Sequence, residues 1–257
     1  MNLLFTLCGR AGSKGVKNKN IKKMLGIPLV YYSLAAIKGT QDVFKDDNIK
    51  AVLNTDSEDL INIVGKQDLI DVQIIRRNKE LSGDEVSKVD VIKNCYKLSK
   101  ELYNCDFDYV IDLDITSPLR TIDDVCNAVN KAKESKYDAV FSVTESRRNP
   151  YFNMVKKEGE FFIKAFPSNY VARQQAPVFY DMNASIYVYS PKALSNKSTV
   201  GFFESNTSAV VMMDTGILDI DSENDFKLIE IISNYLFSSN NSYKILYSYA
   251  KDMYIKR

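Results

Sequence analysis

The chain has 257 residues, 45% of them hydrophobic, which is enough apolar material to fill a sizeable core. Its 34 Lys and Arg against 33 Asp and Glu leave a formal charge of +1, so it lacks the global basic field on which non-specific nucleic-acid or anionic-membrane binding depends. It contains no His, which excludes every Ser-His-Asp and Cys-His triad, His-ligated zinc and any His base, and leaves carboxylates, Lys, Arg, hydroxyls or an oxygen-held metal to carry chemistry.

Short β-rich runs alternate with helix-like stretches through the first 145 residues. Asn2 to Cys8 reads as a buried strand and leads into a glycine-rich connection. Ile49 to Leu53 follows as the second strand, and Ser57 ahead of Glu58 and Asp59 marks a helix start. After the strand Val72 to Arg76, Ser87 and Asp90 form a weak capping box ahead of Val91, Ile92 and Cys95. Tyr109 to Leu113 is the next strand. Thr121 and Asp124 then precede an i, i+3, i+4, i+7 set of Val125, Ala128, Val129 and Ala132, and Ala139 to Val143 closes the series. The alternation predicts a doubly wound, mostly parallel α/β sheet.

Beyond about residue 146 short strands are expected around Tyr151 to Phe166, then a polar stretch and a strand at Ser185 to Tyr189. The chain returns to the α/β layer with strands at Val210 to Met213 and Ile217 to Ile220 and a helix from about Ser222 to Leu236. The segment at about 147–184 could not build a core of its own, so it reads as a small β-rich excursion from one domain spanning 1–237. The tail, 238–257, is weakly patterned and gives no firm reading. Cys8, Cys95, Cys105 and Cys126 show no C-x-x-C spacing and read as reduced packing residues. The opening Met-Asn-Leu-Leu-Phe-Thr-Leu has no cationic n-region, and no stretch approaches the roughly 18 apolar residues of a membrane span; a cytoplasmic protein is expected.

The small net charge hides a local separation. Residues 1–41 contain no Asp or Glu, while Arg10, Lys14, Lys17, Lys19, Lys22 and Lys23 crowd the connection after the first strand. In an open α/β sheet ligands bind at the carboxyl ends of strands. The loop there reads Gly9-Arg10-Ala11-Gly12-Ser13-Lys14-Gly15, with glycines that let backbone amides approach an anion and cations for charge-assisted contacts. The G-x-x-G-x-x-G spacing is neither the P-loop nor the dinucleotide fingerprint, and taken alone the loop could equally be a solvated basic face. Its complement lies far along the chain, where Asp214, Asp219, Asp221, Glu223 and Asp225 gather. At a strand end Asp219 and Asp221 would share one face, and two carboxylates suit Mg²⁺, which completes its shell with water and substrate phosphates. A helix N-terminus explains Ser222, Glu223 and Asp225 equally well, but not Asp219. Cationic loop plus carboxylate pair point to phosphoryl or nucleotidyl transfer, which relies on positioning and charge neutralisation.

The run Leu7-Cys8-Gly9-Arg10-Ala11-Gly12-Ser13-Lys14-Gly15, continuing through Lys19-Asn20, resembles the A-R-x-G-S-K-G-x-x-x-K-N signature of the acylneuraminate cytidylyltransferases, the CMP-sialic acid synthetases. Arg77 to Leu81 resembles the family's R-P-x-x-L segment, Thr116-Ser117-Pro118-Leu119-Arg120 its T-S-P-L-R motif, and Asp219-Ile220-Asp221 with Asp225 its D-I-D-x-x-x-D ending. The four occur in family order over about residues 3 to 232. The resemblance implies a Rossmann-like nucleotidyltransferase fold with a dimerisation excursion, and an enzyme that joins CMP from CTP to a nine-carbon keto-acid sugar with release of pyrophosphate. It implies catalytic roles for Arg10, Lys19, Asp219 and Asp221, the two aspartates holding Mg²⁺. Cys8, Gly9, Arg10, Gly12, Ser13, Lys14, Lys19, Asn20, Arg77 and Lys88 fall on its nucleotide side. Asp114, Thr116, Ser117, Arg173, Gln174, Asn183 and Ser185 fall on its sugar side. The excursion matches the region that reaches across a two-fold, so a homodimer is expected.

Several positions depart from the sialic acid enzymes. Asp114 stands where they carry Gln, Lys88 replaces a Ser, and Phe152 stands in place of a sugar-binding Lys. With Asp181-Met182-Asn183-Ala184-Ser185 in place of Asn-Gly-Ala, the chain looks closest to the branch that acts on bacterial analogues such as legionaminic acid. Arg173 reads equally as an interface or surface Arg, and Asp114 as a cap for the following turn or a helper of the metal. Two alternatives stay open: a nucleotidyltransferase of the same fold using another triphosphate or another acceptor (a sugar phosphate, an octulosonic acid or a phosphonate), and a non-catalytic nucleotide-binding protein.

Overall fold

Along Asn2–Cys8 (β1) successive side chains enter opposite sides of one sheet: Leu3, Phe5 and Leu7 join one apolar cluster and Leu4 the other. Neighbouring strands repeat this, with Ala51, Leu53, Ile111 and Leu113 on the first side and Val52 and Val110 on the second. Burial on both faces is why these strands read as continuous apolar runs. The computed structural model describes residues 1–12, 15–83, 86–195, 206–216 and 219–255.

After β1 come a two-residue ladder, Lys23–Met24 (β2) with Ile27–Pro28 (β3), and the helix Leu29–Val43 (α1). Asn48–Thr55 (β4), Glu58–Val64 (α2), Val72–Arg76 (β5), Lys88–Tyr103 (α3), Tyr109–Leu113 (β6), Ile122–Ser135 (α4) and Ala139–Glu145 (β7) follow in alternation. The excursion contains a hairpin, Val155–Glu158 (β8) with Phe161–Lys164 (β9), and returns along Tyr180–Tyr189 (β10). Pro191–Ser195 (α5), Thr207–Val211 (β11), Glu223–Ser239 (α6) and Asn241–Ile255 (α7) complete the order.

The seven-stranded sheet runs β11-β7-β10-β6-β1-β4-β5. Only β10 is antiparallel to its neighbours, β6 and β7; the other adjacent pairs are parallel. The sheet is therefore doubly wound and mostly parallel. Strand order reverses beside β1, which lies between β4 and β6, so a crevice opens at their carboxyl ends.

The helix starts have stated causes. Ser57 Oγ accepts from Leu60 N at 3.2 Å. Thr121 and Asp124 form a reciprocal capping box, as do Ser222 and Asp225. At α3, Ser87 caps Val89 N without a reciprocal contact from Asp90.

Two differences from the sequence reading stand out. The strand expected at Ile217 to Ile220 is not formed where it is described: Ile217 and Leu218 lie outside the described residues, and Asp219 to Ser222 is irregular. There the backbone N–H groups of Ile220 and Asp221 donate to the side chains of Asp219 (2.7 Å) and Asp225 (3.2 Å), which takes the place of a sheet partner. The tail, for its part, is helical. Asn240 Oδ1 accepts from Ser242 N at 3.0 Å, and α7 buries Tyr243, Leu246, Ala250 and Met253 against the α1 side of the sheet. All four cysteines are free thiols, and no helix among the described residues is long and apolar enough to cross a membrane.

Candidate active site

The crevice beside β1 is a cleft of about 430 Å³. Its glycines act in three ways. Gly9 donates its N–H to Asn54 O at 3.1 Å, and a Cβ there would lie 2.8 Å from Leu60 and 3.0 Å from Asn20 and Ile115. Gly12 holds φ +73°, a left-handed conformation that costs most residues about 1 kcal/mol or more. Gly15 is where the cationic loop meets the acidic one: a Cβ would lie 2.1 Å from the carbonyl oxygen of Asp221. Ala11 N donates to Asp56 Oδ1 at 2.7 Å and Asn20 Nδ2 to Arg10 O at 3.1 Å, which fixes the loop to the end of β4 and to its own continuation.

Among the described residues four cations line the cleft: Arg10, Lys19, Arg77 and Lys88. Arg10 donates to Ser82 O at 3.2 Å. Arg77 is clamped to the end of β4, its Nε 2.6 Å from Asn54 Oδ1. Lys19 Nζ stands 3.3 Å from Asp221 Oδ1 and 3.7 Å from Asp219 Oδ1, so the two carboxylates converge on one cation from a loop rather than from a strand face. Burial raises the pKa of the Asp219 carboxyl, the Asp114 charge adds to this, and hydrogen bonding from Thr116 and the charge of Lys19 oppose it.

The inner wall comes from the end of β6. Asp112 Oδ1 accepts from Thr6 Oγ1 of β1 at 2.7 Å. Asp114 Oδ1 accepts from Thr116 N at 2.8 Å and from Thr116 Oγ1 at 2.7 Å. Lys88 Nζ lies 2.8 Å from Asp112 Oδ2 and 2.5 Å from Asp114 Oδ2. Burial raises the Asp114 carboxyl, but the Lys88 charge and the hydrogen bonds from Lys88 and Thr116 outweigh it and hold the group well below the usual carboxylate range. Asp114 therefore both caps the turn after β6 and faces the cleft.

Arg120 fixes that turn from beneath. Its fully buried guanidinium donates to the carbonyl oxygens of Asp114 and Ser117, to Ser33 Oγ at 3.1 Å and to Ser185 Oγ at 2.9 Å. Burial lowers its pKa to about 10, which leaves it charged near neutrality.

Of the nucleotide-side residues, the structure brings Cys8, Arg10, Lys19, Asn20, Arg77 and Lys88 to the cleft, with Gly9 beneath it. Ser13 and Lys14 lie outside the described residues. On the sugar side only Asp114 and Thr116 line the cleft. Ser117, Asn183 and Ser185 border a neighbouring recess of about 10 Å³ and are held in internal bonds, Ser117 Oγ donating to Asn183 O at 3.1 Å and Ser142 Oγ to Asn183 Oδ1 at 2.5 Å. Arg173 and Gln174 line a separate cavity of about 300 Å³ under the excursion, where Arg173 Nη2 donates to Ser146 O at 2.8 Å. Asp225 is taken up in the α6 capping box, and Asp214 pairs with Arg147.

Asp112, fully buried behind the cleft wall and paired with Lys88, is the residue that sequence reasoning passed over. Its signal was a carboxylate inside the apolar run Val110-Ile111-Asp112-Leu113, which asks for a buried partner.

Asp219 and Asp221 offer hard oxygen donors, half-exposed to exposed, beside a cleft with room for phosphates. That set fits Mg²⁺, which takes one or two carboxylates and completes an octahedron with water and phosphate. Among the described residues no group of three or more Cys, Asp or Glu could enclose an ion, so water and substrate would have to supply the other ligands.

The family model described as cytidylyltransferase matches residues 7–248. The chain is 35% identical over 230 residues to the CMP-N,N'-diacetyllegionaminic acid synthase of Campylobacter jejuni subsp. jejuni serotype O:2, covering 90% of this chain and 94% of that one. Identity and coverage are the same for the post-translational flagellin modification protein B of Campylobacter coli. Among solved structures, CMP:2-keto-3-deoxy-manno-octonic acid synthetase complexed with CTP superposes with a TM-score of 0.62 at 14% identity, over 91% of this chain and 99% of that one, a likeness of fold.

Proposed function

The chain belongs to the cytidylyltransferase family, and from that premise we propose that it transfers CMP from CTP to a nonulosonic acid, a nine-carbon keto-acid sugar, and releases pyrophosphate. The observation that carries this reading is the cleft, in which Arg10, Lys19 and Arg77 from the first half of the chain face Asp219 and Asp221 from its end. The 35% identity to a legionaminic acid synthase favours a legionaminic-type acceptor over an octulosonic acid, a sugar phosphate or a phosphonate.

In the reaction the acceptor's anomeric hydroxyl attacks the α-phosphorus, and the bond from that phosphorus to the bridging oxygen of pyrophosphate breaks. Arg10 and Lys19 are placed to offset charge on the triphosphate as it shifts toward the leaving group. Arg77, braced by Asn54, orients the nucleotide from the β4 side. Asp114 and Thr116 present a carboxylate and a hydroxyl to the acceptor, and Arg120 keeps their turn rigid. Asp219 and Asp221 would hold Mg²⁺, which supplies charge neutralisation and acidifies a bound hydroxyl. The chain has no His to take the hydroxyl proton, which would pass to solvent.

A homodimer, with Arg173 and Gln174 of the excursion serving across the two-fold, and a cytoplasmic location are part of the same proposal. The exposed Phe161, Phe162 and Val178 on the excursion support the first.

The test is pyrophosphate release with Mg²⁺, CTP or GTP, and legionaminic, pseudaminic, N-acetylneuraminic and octulosonic acids. Release with CTP and a nine-carbon acid alone is expected. Turnover only with another acceptor or triphosphate, or CTP binding without turnover on any acid, would overturn it. The expected effect of replacing both Asp219 and Asp221 with Ala is loss of turnover at saturating Mg²⁺.

A further inference from the structure

Lys88 and Asp114, read in the sequence as separate departures on the nucleotide and sugar sides, form one ion pair. Asp112 and Asp114 lie two residues apart, so their carboxylates share the sheet face that α3 covers, and Lys88 is the first residue of α3. Its Nζ sits 2.8 Å from Asp112 Oδ2 and 2.5 Å from Asp114 Oδ2. Two carboxylates converging on one positive centre is the donor arrangement of a cation site, with an ammonium where an ion would stand.

A simple structural pair does not account for this. A cation in the first turn of a helix works against the helix dipole, so α3 gains nothing from Lys88. Arg120, fully buried beneath the same turn, already sets a second positive charge against Asp112 and Asp114, and of these two cations Lys88 is the one that lines the cleft. Burial alone would favour neutral Lys88, but Asp112 and Asp114 outweigh it and hold the amine charged. An ammonium has three donors; Lys88 donates to Asp114 Oδ2, pairs by charge with Asp112 Oδ2, which accepts no hydrogen bond, and its side chain, 35% exposed, lines the cleft beside Thr116 and Asp219.

We propose that Lys88 is a built-in cation of the cleft. It fills an Asp112–Asp114 site that would otherwise take a divalent ion, and it presents its remaining N–H to a phosphate oxygen of the nucleotide. Only one metal ion, at Asp219 and Asp221, is then needed where two-metal phosphoryl-transfer sites use a pair. The phosphate contact rests on the nucleotidyl-transfer reading; the filled cation site does not.

The experiment is a Mn²⁺ titration of the full chain followed by electron paramagnetic resonance, with and without CTP, on wild type, Lys88→Met and Lys88→Met/Asp114→Asn. Thermal melting serves as the fold control, and calorimetry reports CTP binding separately. Wild type should bind one Mn²⁺ per chain with CTP. Lys88→Met should bind one more, with or without nucleotide, and the double variant should lose that extra ion. Two ions per wild-type chain with CTP would overturn the proposal, as would an unchanged count in a Lys88→Met that melts like wild type. The wild-type count decides the matter even where Lys88→Met does not fold. If calorimetry shows no CTP binding, the functional reading fails, while the nucleotide-free counts still decide the cation site.

Discussion

Gly15 has no room for a side chain, because the carbonyl of Asp221 occupies the position a Cβ would need. In Gly15→Ala the cationic and acidic loops must separate by about 1 Å, and a displacement of that size at reacting groups can cost about 100-fold in rate. Initial rates of pyrophosphate release should fall by that order while the urea midpoint changes little; a wild-type rate would show that the loops do not meet in the working enzyme. Asp114 gives a prediction with a pH signature. Its folded pKa lies below the unfolded value, so the carboxylate's contribution is present above about pH 4 and is lost as pH falls through the folded value. Asp114→Asn should therefore be less stable than wild type by about 2 kcal/mol near neutrality, the scale of hydrogen bonds to a charged group, with the gap narrowing below about pH 4 in urea titrations. At this scale the basic loop was legible, because no acid interrupts residues 1–41. The Lys88, Asp112 and Asp114 cluster was not, since the period-two geometry of β6 and the start of α3 meet only once both are packed on the sheet.

The sheet strands are what the sequence predicts best: β1 and β6, buried on both faces, and the edge strand β5 have the expected ends, and β4 and β7 extend one or two residues further. The irregular Asp219 to Ser222 segment was misread as a strand end because Ile220 is apolar and buried, whereas its backbone is satisfied by its own aspartates. The capping box that follows has a measurable worth: Ser222→Ala should lower the unfolding free energy by about 1 kcal/mol and loosen Asp221. Helix α7 escaped notice because its stripe of Tyr243, Leu246, Ala250 and Met253 is mixed with further Tyr residues that blur the apolar face. Leu246 is fully buried, so Leu246→Ala should cost about 2–5 kcal/mol in denaturant unfolding, whereas a free tail would show no change.

For the molecule as a whole, the excursion leaves the sheet at β7 and returns on β10, where Asp181 pairs with Thr144 and, past a bulge, Ile186 pairs with Leu113. Ser185 O accepts from Asp114 N at 3.2 Å, so the strand that carries the excursion home also ties down the cleft's inner wall. If the excursion pairs two chains, Phe161→Ser with Phe162→Ser should give a monomer by light scattering at micromolar concentration, with reduced turnover. The position of Arg173 in its own cavity was not legible in the sequence, because resemblance assigns a residue to a side of the reaction without saying which subunit's cleft it enters. The contact between Lys19 and Asp221 spans 202 residues. At about 5–20 residues per second of synthesis, a nascent chain carries its basic loop without its acidic counterpart for roughly 10 to 40 s. During that interval the loop is a cationic segment without its acidic counterpart, and only once Asp221 has been made does it acquire the partner that makes it a site.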